Sequence, residues 1–154
     1  TAVRLRKAQS HIEDLTEHRA TTSDTKTKTK TNKQWVWLAL DVETRQVIAF
    51  YVGDRSRRSA RKLWNRIPHE YRAQATFHTD DWEAYKTVIP TSQHRVCAKG
   101  SGLTNVIERF NCTLRQRVAR LVRSTLSFSK TLKNHIGAIK YFLCHYNLEV
   151  TGRY

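Results

Sequence analysis

Two short apolar segments separated by a polar turn constrain the fold of this 154-residue chain more than any other feature. Residues 34–40 and 46–52 are rich in aromatic and aliphatic side chains, and residues 41–44 between them are polar. Apolar runs of this length joined by a few turn residues are typical of an antiparallel hairpin. The two segments therefore predict a pair of neighbouring strands.

Helices and strands are predicted to alternate after this hairpin. Ser56 is a suitable N-cap for a helix over residues 59–66, which Pro68 ends. Strands are predicted over residues 75–79 and 94–98, and helices over 82–86 and 132–146. Residues 103–122 carry apolar side chains at steps of three and four, the spacing of one buried helical face. This order predicts an α/β domain with a mixed sheet.

The first 33 residues differ from the rest of the chain. They contain no Trp, Tyr or Phe, and they end in a run of alternating threonines and lysines that has nothing to bury. We expect residues 1–33 to form a poorly ordered segment, residues 34–147 the folded domain and residues 148–154 a C-terminal tail.

The charge of the chain indicates an acidic partner. Lys and Arg number 28 against 13 Asp and Glu, which gives a formal charge of +15. Binding to nucleic acid would release condensed counterions, whereas a bland alternative is that the charge only maintains solubility. A membrane partner is not expected, because no apolar run approaches the roughly 20 residues of a spanning helix.

Cysteine usage and the N-terminal residues bear on chemistry and location. Three cysteines without a C-x-x-C pair indicate neither a disulfide framework nor a zinc site. The first residues are charged and lack the apolar region of a signal peptide, so a cytoplasmic location is expected.

Two acidic residues are candidates for chemistry. Asp80 follows directly on the predicted strand 75–79, where a strand holds the backbone and the side chain projects into a cleft. Glu108 borders the buried stripe of the long helix. Each has a simpler interpretation, since an isolated Asp here more often caps the next helix and a Glu among arginines more often forms a salt bridge.

A series of arginines continues the long helix beyond Glu108. Three of them repeat every three residues and share one face, which suits a phosphate backbone. A solvated charged face is the alternative, but acidic partners are scarce in this segment. The candidate DNA-contacting residues are Arg109, Arg115, Arg117, Arg120 and Arg123.

Several motifs in a fixed order resemble those of the IS1 family of insertion-sequence transposases, over roughly residues 30–147. They are Asn32-Lys-Gln-Trp-Val-Trp-Leu-Ala-Leu-Asp41, Gly53-Asp-Arg-Ser56, His78-Thr-Asp-Asp-Trp-Glu-Ala-Tyr85, Leu103-Thr-Asn-Val-Ile-Glu-Arg-Phe-Asn111, Leu114-Arg-Gln-Arg-Val-Ala-Arg-Leu-Val-Arg123 and Leu126-Ser-Phe-Ser-Lys130.

The resemblance implies a ribonuclease H-like fold, a five-stranded mixed sheet flanked by helices that carries an Asp, Asp, Glu triad. It places two triad members on Asp80 and Glu108, and it gives Asn111 a role in orienting a carboxylate or touching DNA. The implied cofactor is Mg²⁺ or Mn²⁺, since two metal ions can activate the nucleophile and stabilise the leaving oxygen of a phosphoryl transfer. The implied substrate is DNA, cut at transposon ends and joined to a target, with a homo-oligomer assembled on it.

The chain departs from the family in its first residues. The family's first catalytic Asp lies on a first strand shortly before the hairpin, within a pattern that has no match among residues 16–31. We therefore expect the first strand to be missing or degenerate and the N-terminal zinc-finger and helix-turn-helix portion to be absent. Asp24, Asp14 and Asp41 are the nearest acids.

Three functions follow from these observations. The first is a DNA transposase of the DDE type with metal-dependent strand cleavage and strand transfer. The second is a catalytically defective DNA-binding remnant that interferes with the intact enzyme. The third, a basic RNA-binding or ribosomal protein, would explain the charge but not the acid-containing motifs.

Overall fold

The computed structural model describes residues 2–12, 32–97, 105–121 and 131–152, with side chains for all of these except 6–12, 32, 33 and 120. The strands are β1 Ala2–Ile12, β2 Asn32–Asp41, β3 Val47–Gly53, β4 Thr76–Thr79 and β5 His94–Val96. The helices are α1 Arg57–Arg66, α2 His69–Gln74, α3 Glu83–Lys86, α4 Asn105–Arg117 and α5 Leu132–Thr151, with a 3₁₀ turn at Ala119–Leu121.

The five strands form one mixed sheet in the order β3-β2-β1-β4-β5. The β3–β2 and β2–β1 pairs are antiparallel, whereas β1–β4 and β4–β5 are parallel. This arrangement confirms the predicted α/β class with a mixed sheet and the hairpin of β2 and β3. The central position of β1 is decisive for the site, because β1 contacts the strand that leads into Asp80.

The first strand, which was expected to be missing or degenerate, is present as β1 and carries no acidic residue, and residues 2–12 form this strand where a poorly ordered segment was expected. β1 pairs with β2 from Val3 opposite Asp41 to Ile12 opposite Asn32. Its buried side chains include Arg4 beside Val3 and Leu5. Charged side chains are rarely buried, so the composition of this segment is that of a solvated tail. Backbone pairing on both sides nevertheless makes it a strand. Residues 13–31 lie outside the described part of the chain.

Helices cover both faces of the sheet, and each face has its own core. On one face α1 and α3 cover buried side chains that include Val3, Trp37, Leu63, Phe77 and Tyr85. On the other face α4 and α5 cover a second set that includes Leu38, Leu40, Ile107, Leu114 and Ile139. Because alternate strand residues point to opposite faces, Leu5 belongs to the α1 face and Arg4 to the α4 face.

Local signals account for most element boundaries. Ser56 caps α1 as predicted, with its hydroxyl accepting a hydrogen bond from the Ser59 backbone N–H at 3.4 Å. The helix α2 after Pro68 was not predicted. Pro68 lies between α1 and α2 and is the N-cap of α2, where the N–H that proline lacks would make no hydrogen bond within the helix.

The two C-terminal helices differ from their predicted bounds. α4 ends at Arg117, and a 3₁₀ turn follows, so the predicted helix over 103–122 is too long. α5 continues to Thr151, so residues 148–151 belong to a helix and not to a tail. No helix in the described ranges combines the length and apolar character needed to cross a bilayer.

Candidate functional site

The first candidate residue, Asp80, lies at the carboxyl end of β4. Strand alternation buries Phe77 and Thr79 towards α1 and continues to Asp80 on the α4 side. The Asp80 backbone is fixed because its carbonyl accepts hydrogen bonds from the Thr79 hydroxyl and from the Trp82 N–H, both at 2.8 Å. Its side-chain Oδ1 is buried and has no hydrogen-bond partner among the described residues. A buried carboxylate oxygen of this kind is costly unless something else uses it.

The second candidate residue, Glu108, lies in the first turn of α4 and is exposed. Ile107 and Asn111 on the same helix are buried, and at 100° per residue Asn111 lies about 60° from Glu108, between it and the buried stripe. Asn111 Oδ1 has no hydrogen-bond partner in the described structure. Its burial favours a role in orienting a neighbouring side chain over direct contact with DNA.

Asp80 and α4 lie on the same side of the sheet, next to β1, which α4 contacts. This placement agrees with the pairing of Asp80 and Glu108 that the motifs imply. The approach of the two carboxylates to within the reach of a shared ion stays a prediction.

A guanidinium occupies the β1 part of this site. Arg4 pairs in register with His78, two residues before Asp80. Its Nη1 donates to Cys97 Sγ at 3.3 Å, and its Nε is buried with no partner in the part of the chain that the structure describes. Burial and the positive charges of Arg4 and Arg95 lower the pKa of His78 below its ordinary value of 6.5. The β1 edge of the site is therefore cationic.

The β1–β4 register also shows which residue of β1 lies level with Asp80. The β1–β4 pairs run from Ala2 opposite Thr76 to Arg4 opposite His78, so two further residues along β1 bring residue 6 level with residue 80. That residue is Arg6, which pairs with Leu38 of β2. No residue from Ala2 to Ile12 is acidic.

Asp41 does not complete the site. It lies at the level of Val3 and Phe77, three residues and so about 10 Å along the strands from the level of Asp80. Its carboxylate accepts hydrogen bonds from the Glu43 N–H at 3.1 Å and the Thr44 hydroxyl at 3.0 Å. Asp41 therefore stabilises the β2–β3 turn, on the face that α1 covers. Asp14 and Asp24 lie outside the described residues.

These donors do not fit the pair of metal ions that the family implies. Within the described ranges, no three His, Cys, Asp or Glu side chains are grouped so that they could hold a metal ion. If Asp80 and Glu108 both lay beside the buried guanidinium of Arg4, they would leave one net negative charge to balance two divalent cations, whereas hard cations require several oxygen ligands.

The arginines of α4 separate into two flanks. Arg115 follows Glu108 by seven residues, which at 100° per residue puts both on one flank. Arg109 and Arg117 lie on the other flank, where with Arg45 and Tyr146 they line a cavity of about 390 Å³.

Arg117 also donates to Glu149 at 3.2 Å, which corrects the expectation that these arginines have no acidic partner. α5 brings this acid from a distant part of the sequence. The side chain of Arg120 and the whole of Arg123 lie outside the described residues, so the shared face of Arg117, Arg120 and Arg123 stays a prediction.

One basic surface was not predicted from the sequence. α1 and the residue before its cap contain six basic side chains between residues 55 and 66. The three that lie opposite the buried residues of α1 are here named the α1 basic face: Arg57, Arg58 and Arg61. Their helical periodicity was visible in the sequence, but only the structure shows that the helix packs with these residues outward.

The IS1 transposase family model matches residues 23–148. The chain belongs to the IS1 transposase family. The InsB protein of insertion element iso-IS1n from Shigella dysenteriae is 33% identical over 109 residues, which are 71% of this chain and 79% of that protein. The InsB protein of insertion element IS1 4 from Escherichia coli K12 is 31% identical over 110 residues, and the match covers 71% of this chain and 62% of that protein.

Two solved structures show that this IS1-family chain has a ribonuclease H-like fold. A chain of the simian T-cell lymphotropic virus intasome, in complex with the PP2A regulatory subunit B56 gamma, superposes with a TM-score of 0.54 at 13% identity and covers 91% of this chain. A chain of the Mos1 transposase paired-end complex with left transposon end has the same TM-score at 9% identity and covers 93%. The present chain spans about half of each, 46% and 47%.

Proposed function

We propose that this chain is the ribonuclease H-like domain of a DDE-type DNA transposase, which binds DNA but is defective in metal-dependent strand cleavage and strand transfer. The observation that carries the proposal is the central strand β1. It occupies the place beside β4 where the family resemblance requires a carboxylate, and it contributes the buried Arg4 and no acidic residue.

DNA binding is supported by charge. The chain carries +15, and Arg109 and Arg115 are exposed on α4. Each phosphate that these cations neutralise releases counterions, so affinity is expected to fall steeply as salt rises. The Mos1 chain that shares the fold belongs to a complex with a transposon end. A homo-oligomer on DNA is the proposed working assembly.

Retained catalysis is the second candidate, and the buried, unpartnered Oδ1 of Asp80 favours it. An acid outside the described residues would then complete the site with Asp80 and Glu108. The cofactor would be Mg²⁺ or Mn²⁺. Cleavage and joining would require all three carboxylates, because loss of one member of a cooperating set removes most of the rate.

Restoring an acid on β1 distinguishes the two candidates. We compare the parent chain with Arg6→Asp, with Arg6→Asp/Asp80→Asn, and with the matched control Arg6→Asn, which removes the cation without adding a ligand. The readouts are Mn²⁺ binding by calorimetry and strand transfer of a pre-cut transposon-end duplex. Thermal melting shows that each variant is folded.

Only Arg6→Asp is expected to gain Mn²⁺ binding and strand transfer, and Asp80→Asn is expected to abolish both gains. Metal-dependent cleavage by the parent chain that disappears in Asp80→Asn would reject the defective-enzyme proposal and establish the second candidate.

A further inference from the structure

The α1 basic face is a surface of concentrated positive charge. Ser59, Ala60 and Leu63 are the buried side chains of α1. At 100° per residue, Arg57, Arg58 and Arg61 fall within about 100° of one another on the opposite side of the helix. All three are exposed. A helix with this pattern presents its guanidinium groups to solvent along one line.

Aromatic side chains hold the neighbouring cations in place. Arg55 lies over the rings of Trp82 and Trp35, at 3.7 and 5.2 Å from their centroids. Lys62 Nζ donates to the Tyr51 hydroxyl at 3.2 Å, and Arg66 Nη1 donates to the Phe50 carbonyl at 2.8 Å. Cations ordered in this way lose little side-chain entropy on binding, which suits an anionic polymer.

One acidic side chain, Asp54, lies near this face, and its pKa is lowered by hydrogen bonds from serines and also by the positive charge of Arg58. Asp54, next to α1, accepts hydrogen bonds from the hydroxyls of Ser56 and Ser59 and so serves the cap of the helix. In the described part of the chain, no ion pair involves Arg57, Arg58 or Arg61. The three guanidinium groups are therefore available to phosphates, and charge complementarity selects a nucleic acid backbone as the partner.

The position of α1 separates this surface from the α4 site. α1 packs on β2 and β3 in the core that lies across the sheet from α4. A short duplex docked against α4 has no path to α1 because the sheet and its two cores lie between them, and DNA with a persistence length of about 150 base pairs does not bend around so small a domain.

We infer that the α1 basic face binds a second DNA duplex while the α4 side holds the first, so that one chain can bridge two DNA segments. The inference rests on the proposed DNA binding at α4. The contacts are to phosphates, so they are independent of base sequence.

A bridging assay tests the inference. A biotinylated 16-base-pair duplex is immobilised, the chain is added, and capture of a fluorescent 16-base-pair duplex is measured. The test variant is Arg57→Gln/Arg58→Gln/Arg61→Gln, and its matched control replaces the same three arginines by lysine, which keeps the charge. A second variant, Arg109→Gln/Arg115→Gln, removes cations from α4, and light scattering gives the mass of each chain.

The α1 glutamine variant is expected to bind the immobilised duplex like the parent but to capture at least about 10-fold less of the second duplex. Its salt slope for that capture is expected to be shallower by about 2 to 3, since each lost phosphate contact removes about 0.9. The lysine control is expected to retain capture, and the α4 variant is expected to bind one duplex through α1 but to lose bridging.

Undiminished bridging by the folded glutamine variant, whether through α4 or through a dimer of the chain, would overturn the inference and leave the proposed DNA binding intact. The inference would also be overturned if the glutamine variant lost capture of a fluorescent RNA duplex but kept capture of the DNA duplex. Failure of the parent to bind any duplex would instead refute the proposed function.

Discussion

Replacing Asp41 by alanine is expected to destabilise the fold, whereas replacing Asp80 by asparagine is not. The Asp41 side chain is 2% exposed and accepts hydrogen bonds from the Glu43 N–H and the Thr44 hydroxyl, with the Tyr71 hydroxyl at a longer 3.4 Å. Hydrogen bonds to a charged acceptor contribute about 1.5 kcal/mol each at the low end of their range, so the two short ones sum to about 3 kcal/mol.

Water can replace part of this loss, because Glu43 and Thr44 are exposed, so a destabilisation of about 2 to 3 kcal/mol is expected for Asp41→Ala. In a domain of this size, that change lowers the melting temperature by roughly 4 to 12 °C. Asp80→Asn removes the charge of a carboxylate whose Oδ1 has no partner within the described ranges, so the melting temperature of this variant is expected to equal or exceed that of the parent.

Thermal and urea denaturation of the three chains provide the measurement, and Asp41→Asn is the matched control that keeps the shape of the side chain. The reasoning is refuted if Asp80→Asn destabilises the fold more than Asp41→Ala does. It is equally refuted if Asp41→Ala melts with the parent, since the turn would then not depend on its carboxylate.

Three further predictions concern the core, the α1 cap and the α4 cavity. Leu114→Ala empties a fully buried position under α4 and is expected to cost about 3 kcal/mol, measured by urea denaturation. Hydrogen bonds from Ser56 and Ser59 lower the pKa of Asp54 below its ordinary 3.8, so its ionised form stabilises the fold above about pH 4. The difference in stability between the parent and Asp54→Asn is therefore expected to vanish as the pH falls through that lowered pKa. Glu149→Gln frees Arg117 and is expected to tighten duplex binding, whereas Arg117→Gln is expected to weaken it. If fluorescence anisotropy gave both variants the affinity of the parent, this cavity would not belong to the DNA-binding surface.

Local sequence signals predicted the elements that depend on local physics. Two apolar runs joined by a polar turn predicted the β2–β3 hairpin, the hydroxyl of Ser56 predicted the start of α1, and the end of an apolar run placed Asp80 at a strand end. The motifs around Asp80 and Glu108 predicted the family and its fold, and both were confirmed. Such signals need only a few neighbouring residues, which is why they can be recognised without tertiary contacts.

The sequence by itself determined the charge of the chain, its family and the absence of an acid from residues 2–12. Only the tertiary structure decided that those residues form the central strand, because the hydrogen bonds that stabilise β1 come from β2 and β4, which lie 20 or more residues away. The structure also decided that Arg4 is buried beside the site, that Glu149 pairs with Arg117 and that α1 turns its arginines outward. The physical reason is the same in each case, since burial and charge pairing depend on which distant segments pack together.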